Sequence, residues 1–228
     1  MGEKHMIDIE LNISTLKQQI PPSVKIVAVS KTRPVSDILI AYKTGHRIFG
    51  ENRVQELLSK KEQLPSDIEW HLIGHLQSNK VKFIVPFISM IESVDSAKLL
   101  SLINYEAEKA GRIIDCLLQF HIAKEETKFG FDLEEVFRLL DSSEFIGLKY
   151  VRLCGVMGIA TFTDKMNQVR EEFISLKNCF NILKEKYFRD SDHFREISMG
   201  MSGDYSLAIE RGSTLVRIGS LIFGKRYT

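Results

Sequence analysis

The chain has 228 residues, 44% hydrophobic and 27% charged, with 31 basic against 30 acidic residues and a net charge of +1. No block of like charge stands out, which excludes a nucleic acid or a membrane surface as a partner held by bulk electrostatics. Cys116, Cys154 and Cys179 show no CxxC spacing, and the first two lie in apolar runs, which predicts buried thiols in a reducing compartment. Residues 1–7 lack the apolar core of a secretion signal and no window approaches membrane-spanning length, so a cytoplasmic protein is expected.

Ile9, Ile13, Leu16 and Ile20 recur at helical spacing and predict an amphipathic helix over 5–20, stopped by Pro21 and Pro22. Residues 24–31 form a short run rich in β-branched side chains between breakers, the pattern of a buried strand. Alternation puts Val27, Val29 and Lys31 on one face. An amine at that strand's C-terminal end is partly desolvated and biased towards its nucleophilic form. Further strands are predicted over 47–50, 69–74, 87–94, 113–122, 150–159, 194–198 and 214–218. Helices are predicted from Pro34 to Thr44 and over 52–61, 77–85 and 133–140. Asp95 or Ser96 caps another through Ala110, Thr163 or Asp164 a long one to Tyr187, and a shorter one spans 204–211.

Strand and helix thus alternate eight times after one leading helix, with a repeat of about thirty residues as a βα unit requires. That pattern predicts an α/β fold, a closed (β/α)8 TIM barrel with an extra N-terminal helix, with a doubly wound open sheet as the alternative. No linker divides the chain, so residues 1–228 are expected to form one domain.

In such a barrel, function gathers at the C-terminal ends of the strands. There the sequence places Lys31, Glu51, Asn52, His75, Ser93 and His121 and two glycine-rich turns, 198–203 and 217–220. Ser198, Gly200, Ser202, Gly203, Gly219 and Ser220 offer hydroxyls and backbone N–H groups for an anion after strands seven and eight. Arg217 shares parity with Leu215, so it enters the barrel mouth if Leu215 points inward. There it needs an acceptor: a phosphate, a neutral ring nitrogen or a neighbouring carboxylate. His71 and His75 are four apart, but Gly74 interrupts them, so a metal centre is not expected and His71 reads as a core residue. His5, His46 and His193 sit in polar contexts and carry no signal.

Five blocks carry a family resemblance: Ala28-Val-Ser-Lys-Thr32; Phe49-Gly-Glu-Asn52 with Val54-Gln-Glu56; His71-Leu-Ile-Gly-His-Leu-Gln77; Ser198-Met-Gly-Met-Ser-Gly-Asp204; and Gly212-Ser-Thr-Leu-Val-Arg-Ile-Gly-Ser220. Together they resemble the pyridoxal 5′-phosphate (PLP) homeostasis proteins of the YggS/PROSC type. The resemblance implies a barrel similar to the N-terminal domain of alanine racemase, PLP fold type III, with Lys31 joined to PLP as a Schiff base. By the same resemblance Ser198, Gly200, Gly219 and Ser220 match a phosphate cradle, and Arg217 the arginine at the pyridine nitrogen. Asn52 and Met199 match positions lining the cofactor. The tail Lys225-Arg-Tyr227 departs from the family's usual pattern without touching these positions.

The resemblance further implies a PLP-binding protein of vitamin B6 homeostasis, a monomer whose partners are PLP and PLP-dependent apoenzymes, with no catalytic residues. A weak PLP-dependent racemase or lyase is the alternative. Racemisation needs a base on each face of the substrate α-carbon. The chain ends soon after strand eight, and Tyr205 is the one residue considered for the second base, though packing on its own helix is expected.

Overall fold

The computed structural model describes residues 8–123 and 129–225. The readings for residues 1–7 and for Arg226 and Tyr227 lie outside these. Eight parallel strands close into a barrel in sequence order: β1 Lys25–Val29, β2 Ile48–Glu51, β3 Glu69–Leu72, β4 Met90–Val94, β5 Ile114–Phe120, β6 Val151–Gly158, β7 Glu196–Met201 and β8 Leu215–Ile218. Ring closure comes from β1 pairing with β8, Val27 opposite Arg217. The open-sheet alternative is thereby excluded.

Helices α1 Ile9–Gln19, α2 Val35–Lys43, α3 Val54–Lys61, α4 Val81–Ile84, α5 Ala97–Ala110, α6 Leu133–Leu140, α7 Ser143–Ile146, α8 Met166–Lys186, α9 Tyr205–Glu210 and α10 Ser220–Phe223 accompany the strands. Their ends follow local chemistry. Ser96 accepts the Leu99 N–H to start α5, and Gly111, at φ 62°, ends it in the left-handed conformation. Asp132 and Glu135 form a reciprocal capping box on α6. The helix expected over 77–85 is instead a 3₁₀ turn, Ser78–Lys80, followed by the single turn of α4. Neither Thr163 nor Asp164 caps α8, which starts at Met166; Thr163 accepts the Lys165 N–H one step earlier.

Strand alternation splits the core in two. Outward residues such as Ala28, Phe49, Leu72, Ile91 and Val216 pack under the helices, while Val27, Val29, Ile73, Met90, Leu117, Cys154, Met157 and Leu215 fill the barrel interior. Each fully buried large aliphatic side chain contributes about 1.5–3 kcal/mol. Cys116 and Cys154 are buried free thiols, and Cys179 is half-buried. Among the described residues, no helix is long and apolar enough to cross a membrane.

Candidate functional site

A cavity of about 470 Å³ opens at the C-terminal ends of the strands. Lys31 lines it from the β1 side, Asn52 from the turn after β2, and Arg217, Gly219 and Ser220 from β8. Ser202, Gly203 and Asp204 line it from the turn after β7, and Thr161, Phe162 and Asp164 from the segment between β6 and α8. Seven of the expected positions therefore converge: Lys31, Asn52, Ser202, Gly203, Arg217, Gly219 and Ser220.

Lys31 stands two residues beyond the last residue of β1. Ser30 N–H still continues the ladder to the Gly50 carbonyl at 3.0 Å, and Arg33 N–H then closes a turn on the Ser30 carbonyl at 3.0 Å. Lys31 and Thr32 are the two central residues of that turn, and Thr32 has φ 64°. A β-branched residue with positive φ is strained, so the turn needs outside support. That support is a buried ionic cluster behind the strand. Lys60, 5% exposed, donates to the Ser30 carbonyl at 2.7 Å, to Glu51 Oε1 at 2.7 Å and to Glu56 Oε1 at 2.6 Å. Ser30 Oγ–H also donates to Glu51 Oε1, at 2.6 Å, and Thr32 N–H donates to Glu56 Oε1 at 2.5 Å.

Asn52 presents a buried Oδ1 that has no hydrogen-bond partner among the described residues. Its backbone approaches Gly74 so closely that a Cβ there would lie 2.5 Å from the Asn52 carbonyl oxygen, so glycine is required at that step.

Arg217 enters the mouth as parity with Leu215 predicts, since Leu215 fills the interior. Its Nη1 donates to Ser198 Oγ at 2.5 Å and its Nη2 to the Gly158 carbonyl at 2.8 Å. Ser198 Oγ–H in turn donates to Glu92 Oε2 at 2.5 Å, and His71 Nδ1–H donates to Glu92 Oε1 at 2.6 Å. Arg217 Nη1 stands 4.0 Å from Glu92 Oε2, which makes a carboxylate its ionic partner within the protein. Burial opposes the charge on Glu92, but His71, Arg217 and Ser198 outweigh it and hold the carboxyl below its ordinary value. Asp204 differs: burial raises its carboxyl, against the Met201 N–H and the Arg217 charge.

Three other expected positions, Ser198, Met199 and Gly200, do not line the cavity. The Ser198 hydroxyl is fully buried and engaged with both Arg217 and Glu92, beneath the cavity rather than on its wall. Met199 is buried in the layer between sheet and helices. Gly200, at φ 93°, lies where a Cβ would meet the Ala208 Cβ at 2.5 Å, so it serves the approach of β7 to α9. The pairing with β8 shifts register between Ser198 and Met201, and Ser202 and Gly203, also offered by the sequence, line the cavity just beyond. Ser202 Oγ accepts N–H bonds from Gly219 at 3.2 Å and Leu221 at 3.4 Å, joining the two turns.

Sequence reading missed Glu92 and Lys60 and gave Glu56 no role beyond its place in a family block; a carboxylate inside an apolar strand run, at Glu92, was the available signal. Tyr205 donates to Gln19 Oε1 of α1 at 3.1 Å and does not line the cavity, whereas packing on its own helix was expected. His71 is the expected core histidine, whereas His75 pairs with Asp95 at 2.8 Å and stacks on Phe129. His46, expected to be without signal, is buried, bonded through Nε2 to the Ile48 carbonyl at 2.8 Å.

Residues 5–227 match the family described as alanine racemase, N-terminal domain. A pyridoxal phosphate homeostasis protein from Synechocystis is 39% identical over 209 residues, 91% of this chain and 94% of the relative. The solved structures of PipY from Synechococcus elongatus PCC7942, without and with PLP bound, align with TM-scores of 0.89 and 0.86. Both are 35% identical and cover 95% of this chain and 100% of theirs. An alanine racemase from Clostridium difficile, 14% identical, shares the fold with a TM-score of 0.70 over 97% of this chain and 56% of its own. A closed barrel whose mouth gathers a lysine, an arginine and two small-residue turns, with relatives this similar over almost their whole length, places the chain in the family of pyridoxal phosphate homeostasis proteins.

Proposed function

We propose that this chain binds PLP in the mouth cavity and serves PLP homeostasis as a carrier. The observation that carries this reading is the convergence of Lys31, Arg217 and the turns at 202–203 and 219–220 on one cavity, beside the unpartnered Oδ1 of Asn52. Lys31 supplies the amine for the cofactor aldehyde, and Asn52 a polar atom buried before any ligand arrives. Ser202, Gly203, Gly219 and Ser220 supply hydroxyls and N–H groups suited to a phosphate. When bound, PLP supplies an electrophilic aldehyde and an electron-accepting ring. Arg217 offers the ring nitrogen a hydrogen bond without a transferable proton, which leaves the ring a weak electron sink.

Tyr205, the residue considered for a second base, is turned towards α1, which favours a carrier over a racemase. In this reading the chain acts as one domain and as a monomer in the cytoplasm, passing PLP to PLP-dependent apoenzymes; its free cysteines suit a reducing compartment.

Borohydride reduction of the PLP-treated protein, followed by peptide mapping, is expected to place the pyridoxyl group on Lys31. Labelling mainly at Lys80 or Lys225 would overturn the assignment. Deuterium exchange at the α-carbon of alanine in heavy water is expected to be negligible or to proceed with retention. Inversion in the usual enzyme range of about 1–10³ s⁻¹ would make the protein a racemase.

A further inference from the structure

The buried cluster behind β1 has no role in any contact to the cavity, yet it grips the residue on each side of Lys31. Lys60 uses all three of its N–H donors: one on the Ser30 carbonyl, one on Glu51 and one on Glu56. Glu56 passes the grip on to the Thr32 N–H. The two held groups, Ser30 C=O and Thr32 N–H, flank Lys31 in the turn that Arg33 N–H closes on Ser30. Turns with positive φ at the third residue are ordinarily made with Gly or Asn. Here that position is Thr32, and α3 provides the acceptor that holds it.

We propose that Lys60 and Glu56 are positioning residues for Lys31. They fix the strained turn that presents its side chain to the cavity, and α3 therefore sets the readiness of the PLP site without touching it. The inference rests on Lys31 being the PLP-bearing residue. Mechanically, the energy that holds Thr32 in its unfavourable conformation comes from Glu56, itself held by Lys60.

Glu56 is the member to change, because it is partly exposed, so its removal leaves the fold standing; a thermal melt verifies this for each variant. Glu56→Ala is expected to raise the apparent Kd for PLP about tenfold, the scale set by releasing one strained residue. It is also expected to speed amide hydrogen exchange at Thr32 in the ligand-free protein. Adding Thr32→Gly, which adopts positive φ freely, is expected to return the Kd to within about threefold of the parent chain. A role of Glu56 in general stability would give no such recovery. Unchanged PLP affinity in Glu56→Ala, or a loss that Thr32→Gly does not repair, would overturn the inference. If the parent chain carries PLP on another lysine, the PLP assignment of Lys31 fails instead, and Thr32 exchange still reads the clamp by itself.

Discussion

Glu51 and Glu92 are equally buried, both with no exposed surface, and they lie on opposite faces of the same sheet. Glu92 stands inside the barrel with both oxygens engaged, Oε1 by His71 and Oε2 by Ser198, and with Arg217 close by. Glu51 stands outside, under α3, with its hydrogen bonds on Oε1 and a buried Oε2 that has no partner among the described residues. Their carboxyl groups accordingly shift in opposite directions. Glu92 is held below the ordinary value, whereas burial pushes Glu51 up despite the hydrogen bonds from Lys60 and Ser30. Burial alone therefore does not decide the ionisation of a carboxyl; the number and placement of donors does. The interior cluster orients a guanidinium beside the cavity. The exterior one holds the backbone on both sides of Lys31, through the Ser30 carbonyl and the Thr32 N–H.

The contrast is sharpest when one partner is removed. Lys60→Met leaves Glu51 buried without its cation and is expected to cost about 3–5 kcal/mol, read from the denaturant midpoint. Adding Glu51→Gln should recover part of that loss, and no recovery would mean that Lys60 matters for packing rather than charge. His46 supplies a buried group with no carboxylate partner among the described residues. Burial lowers its pKa from 6.5 to about 4, against the hydrogen bond to the Ile48 carbonyl. The unfolded chain therefore takes up the proton first. Stability present above pH 6.5 is lost as the pH falls towards 4, by about 3 kcal/mol. His46→Gln should flatten that part of the acid limb in urea melts, and an unchanged slope would refute the assignment.

Smaller effects separate two serines. Ser198→Ala removes the bridge between Arg217 and Glu92 and should cost about 1.5–3 kcal/mol of stability. Ser220→Ala should leave stability unchanged and weaken PLP binding by about 1–3 kcal/mol, with pyridoxal, which lacks the phosphate, little affected. If the two variants behaved alike in a PLP titration, Ser198 would belong to the phosphate site after all.

The barrel was legible because most strands are short apolar runs and several of the following helices, such as α5 and α6, carry their own caps. The inward direction of Arg217 followed from one parity argument with Leu215. No such argument placed Ser198, Met199 and Gly200, because a register shift between β7 and β8 is a property of the strand pair, invisible in either strand alone. Glu92 was visible only as an anomaly within an apolar strand, since its partners His71, Ser198 and Arg217 come from three other strands. Lys60 reads in sequence as a solvated lysine near the end of a helix. Its burial depends on two carboxylates and a carbonyl that only the fold brings together.

The pairing of β1 with β8 also sets an order of events in time. Until Leu215–Ile218 has been synthesised, β1 and β7 each present an open edge, a template for unwanted pairing with other chains. A chain growing from the ribosome must therefore wait for its last strand before its first is safe, and such long-range pairing is slow. Lys31 sits on one side of that seam and Arg217, Gly219 and Ser220 on the other. The cavity thus comes into being with the final stitch of folding, and a ligand held there would lock the seam that made it.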